Sequence, residues 1–204
     1  MKNNKRSDLF LYQLINSISS VMAASDVYTA HHQNNVSVIA RLIGQEMKLS
    51  SFEVEGIRVA GQLHDIGKSA IPNELLSKYG GLIDEEFVLI KTHAARADQL
   101  LSGIDFPWPV REMVLQHHER MNGSGYPNGL MGNKICLGGR ILAVADVADS
   151  MMNARPYRKA LGLESVISEL TNNSHLYDEA VCKAFMAIVA DGGARLEKTI
   201  KKTH

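Results

Sequence analysis

His64 and Asp65 stand side by side, with Gly67 and Lys68 just behind them. A neutral imidazole and a carboxylate are good ligands for a first-row divalent metal, and a carboxylate has two oxygens with which to bridge a pair of metals. Taken alone, such a pair could equally be a chance His-Asp at a helix end. A second adjacent pair, His117-His118, closes an apolar helical segment, and His32 and His93 fall on or beside the inward stripes of two further segments. For any one of these histidines a packed core residue is the plainer reading. Five of them together with Asp65 are harder to explain that way, because each buried imidazole needs polar partners. Metal coordination satisfies them together. His31 is about 100° from His32 around a helix and is left out. Asp146 joins the set because it lies in Ile-Leu-Ala-Val-Ala-Asp-Val-Ala-Asp-Ser, 141–150, where an ionised carboxylate is costly unless paired or metal-bound. A salt bridge to Arg140 or Arg155 is the alternative for Asp146 or for Asp149, one turn on; we take Asp146 as ligand and Asp149 as its support. His32, His64, Asp65, His93, His117, His118 and Asp146 are too many for one octahedral ion. They suit two metals about 3.5–4 Å apart, an arrangement that acidifies water and clamps phosphoryl oxygens in phosphate-ester hydrolysis. Lys68 would bring a further cation to the phosphate.

These residues need helices to carry them. Apolar residues recur at three- and four-residue steps over Asp8–Ala24, Thr29–Met47 and Ser51–Gly67, the last with Ile57, Gly61 and His64 on one stripe and Lys68 a turn beyond. A fourth helix is predicted from Asp84, as N-cap, to Leu101, with Phe87, Ile90, Ala94, Ala97 and Leu101 inward. A fifth starts near Pro109. Residues 121–139 hold six of the 16 glycines and keep no helical period, so they read as a long shaped loop. Helices resume over Arg140–Asn153, Leu163–Thr171 and Asp178–Val189. The reading is all-α: a single helical domain over 1–204, with a core at about 26–190, an N-terminal helix over 1–25 and a frayed tail over 191–204.

The chain has 204 residues, with 22 Lys+Arg against 22 Asp+Glu. Zero net charge speaks against broad nucleic-acid binding, which needs a basic face. It leaves room for a small anion drawn to bound metals, since two divalent ions bring four positive charges to one point. No apolar run approaches the roughly 20 residues of a membrane span. The two cysteines, Cys136 and Cys182, make no disulfide framework, so a cytoplasmic protein is expected.

In order along the chain come Asp-Val-Tyr-Thr-Ala-His-His (26–32), Leu-His-Asp-Ile-Gly-Lys (63–68), His-His-Glu-Arg (117–120), Gly-Ser-Gly-Tyr-Pro (123–127), Asp-Val-Ala-Asp-Ser (146–150) and Arg-Pro-Tyr-Arg (155–158). This ordered set resembles the HD-GYP subgroup of the HD-domain metal-dependent phosphohydrolases, over about Asp26 to Val189. The resemblance implies an all-helical HD-type fold and a phosphodiesterase that hydrolyses the bacterial messenger cyclic di-GMP to pGpG, GMP or both. It implies metal ligands at His32, His64, Asp65, His93, His117, His118 and Asp146. Asp65 and Lys68 would be catalytic, and Lys68, Gly123, Gly125, Tyr126 and Arg155 would meet substrate. Glycines at 123 and 125 permit close backbone approach, and Tyr126 offers a ring to stack, a hydroxyl to bond or an anchor for the loop.

Ligand types alone fit iron, manganese, nickel or zinc; the family points to iron or manganese. Trinuclear members place a glutamate where this chain has Tyr28, so two metals are expected rather than three. His31, Asn35 and Ala97 also depart from frequent family residues, and the first two bear on the pocket and on phosphate binding. A preference for cyclic GMP-AMP is the near alternative. A signalling interaction module, with a partner on the glycine-rich loop, is a more distant one. A nucleotide phosphohydrolase of the wider superfamily is a third, disfavoured by that loop and by the second His-His pair.

Overall fold

The computed structural model describes residues 2–25, 27–78, 80–153 and 159–201. Arg155 and the side chain of Tyr28 lie outside the described residues. Helix α1 spans Lys2–Ser25, α2 Val27–Glu46 and α3 Ser51–Leu63. After a 3-10 turn at Ile66–Ala70 come α4 (Asn73–Leu76), α5 (Asp84–Lys91), α6 (His93–Leu100) and α7 (Val110–Gln116). Then follow α8 (Leu137–Met152), α9 (Leu163–Asn172), α10 (Glu179–Val189) and α11 (Ala194–Lys201). Among the described residues there is no strand, only one isolated bridge between Asn122 and Met131 that closes the glycine-rich loop. The all-α reading holds.

Helix α2 is the central element. It packs on α3 and α8, and also on α1, α10 and α11. Its stripe of Val36, Ile39, Ala40 and Ile43 is fully buried, facing Ile57 and Ala60 of α3 and Ile141, Val144 and Ala148 of α8. Burial of the valine and isoleucine side chains among these stabilises by about 1.5–3 kcal/mol each. Polar caps fix the helix starts. Ser50 and Glu53 form a reciprocal capping box at α3. Asp178 accepts from the backbone N–H groups of Ala180 and Val181 at α10, and Arg140 is the ion-pair partner of the same carboxylate. Arg140 is thereby unavailable to Asp146.

Several expected elements differ. The long fourth helix is two helices, broken at Thr92. There the Thr92 hydroxyl donates to the Leu89 carbonyl and the His93 ring donates to the Ile90 carbonyl, local bonds that compete with the helical ladder. The break turns α5 away from the core, so Phe87, expected inward, is 44% exposed. Asp84 is the first helical residue rather than the cap. The N-terminal N–H of Ile83 is satisfied by Glu86 instead. Helix α3 ends at Leu63, so Lys68 stands on the 3-10 turn and not on an extension of the helix. The tail expected to fray forms α11 through Lys201, anchored by buried Leu196; its Leu196 and Ile200 are one helical turn apart, a signal diluted by the charged residues between them. With Ile15 of α1 also buried in the same cluster, the hydrophobic core reaches beyond 26–190 on both sides.

Candidate metal centre

Three of the histidines use one local device. The last carbonyls of a helix have no backbone partner, and His64, His93 and His117 each turn their own ring back onto one of them, three residues upstream. Nδ1 of His64 lies 2.8 Å from the Gly61 carbonyl, that of His93 2.7 Å from Ile90, and that of His117 within hydrogen-bond distance of Val114. A carbonyl only accepts, so each Nδ1 carries the proton and each Nε2 is left as a lone pair. His32 is oriented by another route: its Nδ1 lies 2.6 Å from Asp149 Oδ2, which turns Nε2 toward the cluster.

The four Nε2 atoms converge on two carboxylates. Asp65 turns Oδ2 toward His64 Nε2 at 3.4 Å and His32 Nε2 at 3.7 Å, and Oδ1 toward His93 Nε2 at 3.5 Å. Asp146 Oδ1 lies 3.1 Å from His32 Nε2, and its Oδ2 lies 3.9 Å from His118 Nδ1. Each carboxylate thus turns its two oxygens toward different imidazoles. The Nε2 atoms of His93 and His117 stand 3.4 Å apart. Ligand atoms lie within 4.8 Å of one another in three overlapping groups: His93, His117 and His118; His32, His64 and Asp146; and His64, Asp65 and His117. All seven residues expected from the sequence fall in these groups. His31 is exposed and belongs to none of them.

The donor set fits metals on an independent ground. His64 Nε2 and Asp65 Oδ1 are buried without any hydrogen-bond partner, and a buried polar atom left so is costly. Lone pairs of His93 and His117 pointed at each other repel. A divalent cation resolves both. Electrostatics point the same way. Burial pushes the His93 imidazole below its ordinary value and the His117 and His118 imidazoles well below theirs, which favours the neutral, ligating form. Burial would by itself raise the Asp65 and Asp146 carboxyls. The Lys68 ammonium beside Asp65, and the hydrogen bond and charge of His32 beside Asp146, hold both carboxyls well below the carboxylate range. Burial would lower His32, but its bonds to Asp146 and Asp149 raise it to about 9.

Lys68 reaches Asp65 Oδ2 at 2.5 Å, and its side chain is 26% exposed, at the mouth of the cluster. The glycine-rich loop folds back onto the second histidine pair. Tyr126 donates its N–H to the His118 carbonyl at 3.2 Å and lays its ring on the His118 ring, with centroids 4.7 Å apart. At Gly125 a Cβ would lie 2.4 Å from both the Glu119 Cα and the His118 carbonyl oxygen, so only glycine allows this approach; Gly123 holds a left-handed φ of 82°. Sequence reasoning missed Glu119. Its carboxylate is buried and accepts from the backbone N–H groups of Asn128 at 2.8 Å and Leu130 at 3.0 Å. The available signal was a lone acid next to a loop with many unpaired amides.

The family model of the HD domain matches residues 13–181. The chain belongs to the HD-domain family. This HD domain is 37% identical over 182 residues to a cyclic di-GMP phosphodiesterase of Thermotoga maritima, covering 88% of this chain and 50% of that protein. It is 32% identical over 177 residues to the 3'3'-cGAMP-specific phosphodiesterase 3 of Vibrio cholerae, covering 87% of this chain and 38% of that protein. The chain thus spans half or less of the length of these relatives. In fold it is similar to Bd1817, an HDG"Y"P protein from Bdellovibrio bacteriovorus, with a TM-score of 0.65 at 18% identity, covering 86% of this chain and 61% of that one. The HD-GYP resemblance drawn from the motifs agrees with these relatives. HD domains are metal-dependent, and the His/Asp groups of this one could hold metals. No helix among the described residues is long and apolar enough to cross a membrane.

Proposed function

We propose that this HD domain is a metal-dependent phosphodiesterase that hydrolyses cyclic di-GMP to pGpG, GMP or both. The observation that carries the proposal is the convergence of Nε2 lone pairs and carboxylate oxygens in one buried cluster, with His64 Nε2 and Asp65 Oδ1 unpartnered. His32, His64, Asp65, His93, His117, His118 and Asp146 would hold two divalent ions, iron or manganese. When bound, the pair supplies Lewis acidity at the phosphate and lowers the pKa of water. Asp65, with an oxygen toward each half of the cluster, sets their common orientation, and Asp149 fixes the His32 ring. The Lys68 ammonium, paired with Asp65 and open to the mouth, moves toward a phosphoryl oxygen and stabilises the charge that develops there. Tyr126 and Gly125 pack against His118, and we assign both, with Gly123 and Arg155, to substrate binding. The whole chain is read as one domain.

The second reading, a preference for cyclic GMP-AMP, is favoured by the Vibrio cholerae relative of that specificity. A cytoplasmic setting fits the unpaired Cys136 and Cys182 thiols. The exposed loop residues Ser124, Pro127 and Asn128 would face any signalling partner. The deciding experiment reconstitutes the protein anaerobically with Fe²⁺ and, separately, with Mn²⁺, then separates the products from cyclic di-GMP and cyclic GMP-AMP. Metal-dependent cleavage that Asp65→Ala abolishes is expected. Loaded protein that leaves both dinucleotides intact would overturn the proposal.

A further inference from the structure

The turn of α5 away from the core leaves an aromatic residue and a cation beside the cluster without a structural task. Lys91 ends α5, and its Nζ lies 4.6 Å from the Phe87 ring centroid and 5.5 Å from that of Tyr126. No carboxylate pairs with Lys91 among the described residues, whereas Lys68 is held by Asp65 and Lys78 by Glu86. The Tyr126 ring in turn stacks on the His118 ring. A continuous ladder therefore runs His118, Tyr126, Lys91, Phe87 from the cluster outward. Its outer rung is 44% exposed, next to exposed Ile83 and Val88. The ion pair of Lys78 with Glu86, and the Ile83 N–H bond to the same carboxylate, pin the start of α5 so that this shelf is fixed in place.

This inference rests on the reading that the substrate is a cyclic dinucleotide. Such a molecule carries two phosphates and two bases, and the metal cluster with Lys68 accounts for one phosphate only. The second phosphate and at least one base must lie outside the cluster. An ammonium held between two rings is partly dehydrated and has no anion of its own, so transfer to a phosphate oxygen sacrifices no ion pair. A flat, exposed ring is a sequence-tolerant platform for a base. We propose that Lys91 binds the phosphate that is not cut, and that Phe87 stacks on one nucleobase. Phe87 and Lys91 are thus specificity-determining residues for cyclic dinucleotides over simple diesters.

The test compares metal-loaded wild type with Phe87→Ala, Lys91→Met and Lys91→Arg, on cyclic di-GMP and on methyl p-nitrophenyl phosphate, a small diester with one phosphate and no base. Metal content is measured in every sample. For Phe87→Ala and Lys91→Met, KM for cyclic di-GMP should rise about tenfold, the loss falling on KM rather than kcat. The efficiency ratio of dinucleotide to small diester should fall by the same factor, and Lys91→Arg should recover most of it. Unchanged KM in both variants, or a parallel loss on both substrates, overturns the inference. Wild type that cleaves the small diester but neither cleaves nor binds any cyclic dinucleotide instead overturns the function on which the inference rests.

Discussion

At the residue scale, ring orientation matters as much as ligand type. His64, His93 and His117 are tied by the carbonyl three residues back, a bond internal to each segment. His32 depends on a carboxylate 117 residues away. Partners that orient a metal-binding histidine typically account for 10–100-fold in affinity. Asp149→Ala should therefore weaken metal binding about 10–100-fold, read by competition with a metal-sensitive dye, while the fold by circular dichroism is kept. Undiminished affinity would show that the bond to Asp149 does not position His32. The types and positions of these histidines were legible in the sequence. Their tautomers were legible only in part, because a histidine near a predicted helix end has a carbonyl in reach, whereas nothing local marks Asp149 as the partner of His32.

At the element scale, the glycine-rich loop is held by one buried carboxylate. Glu119→Gln would place an amide NH2 against one of two backbone N–H donors, a mismatch of about 1–3 kcal/mol. We expect faster amide exchange over residues 122–130, a several-fold loss of dinucleotide turnover and unchanged metal content. Unchanged exchange in the loop would remove Glu119 from this role. The loop itself was legible, since glycine density and lost periodicity announce it. Its closure on the His118–Arg120 backbone was not, because that contact depends on where the chain returns after Met131. Helix α5 shows the opposite failure. Its apolar residues continue the period of α6, but the side-chain bonds of Thr92 and His93 to the preceding turn break the register. Residues that fit one stripe in sequence then face different surroundings.

For the whole molecule, the buried imidazoles couple stability to pH. His93, His117 and His118 sit below the ordinary value of 6.5. They contribute stability that is present above 6.5 and lost as pH falls from there, because the unfolded chain takes up the proton first. His32, raised to about 9, contributes stability that is present below 6.5 and lost as pH rises through about 9. Metal-free protein should therefore melt highest near the ordinary imidazole value, with a steeper decline on the acid side, where three groups act together. Metal binding to the folded state should raise the melting temperature throughout the neutral range. A melting series with and without metal checks both; a metal-free protein that gains stability on acidification below 6.5 would refute the assignment of neutral imidazoles to His93, His117 and His118.

The sequence by itself determined the chemistry. Residue types such as His, Asp and Lys have intrinsic ligand properties, apolar periodicity forces helices, and the ordered motifs name the family before any coordinate is known. The tertiary structure alone decided which lone pairs meet. His32, Asp65, His93, His117 and Asp146 come from separate segments, and only the packing of α2 against α3 and α8, with α6 against the 3-10 turn and α7, brings them within ligand distance. It also decided that Glu119 serves the loop and that Lys91 meets the rings of Phe87 and Tyr126. The physical reason is range: helix formation and ligand chemistry are local properties of the chain, whereas convergence and exposure follow from which surfaces of distant helices exclude water together.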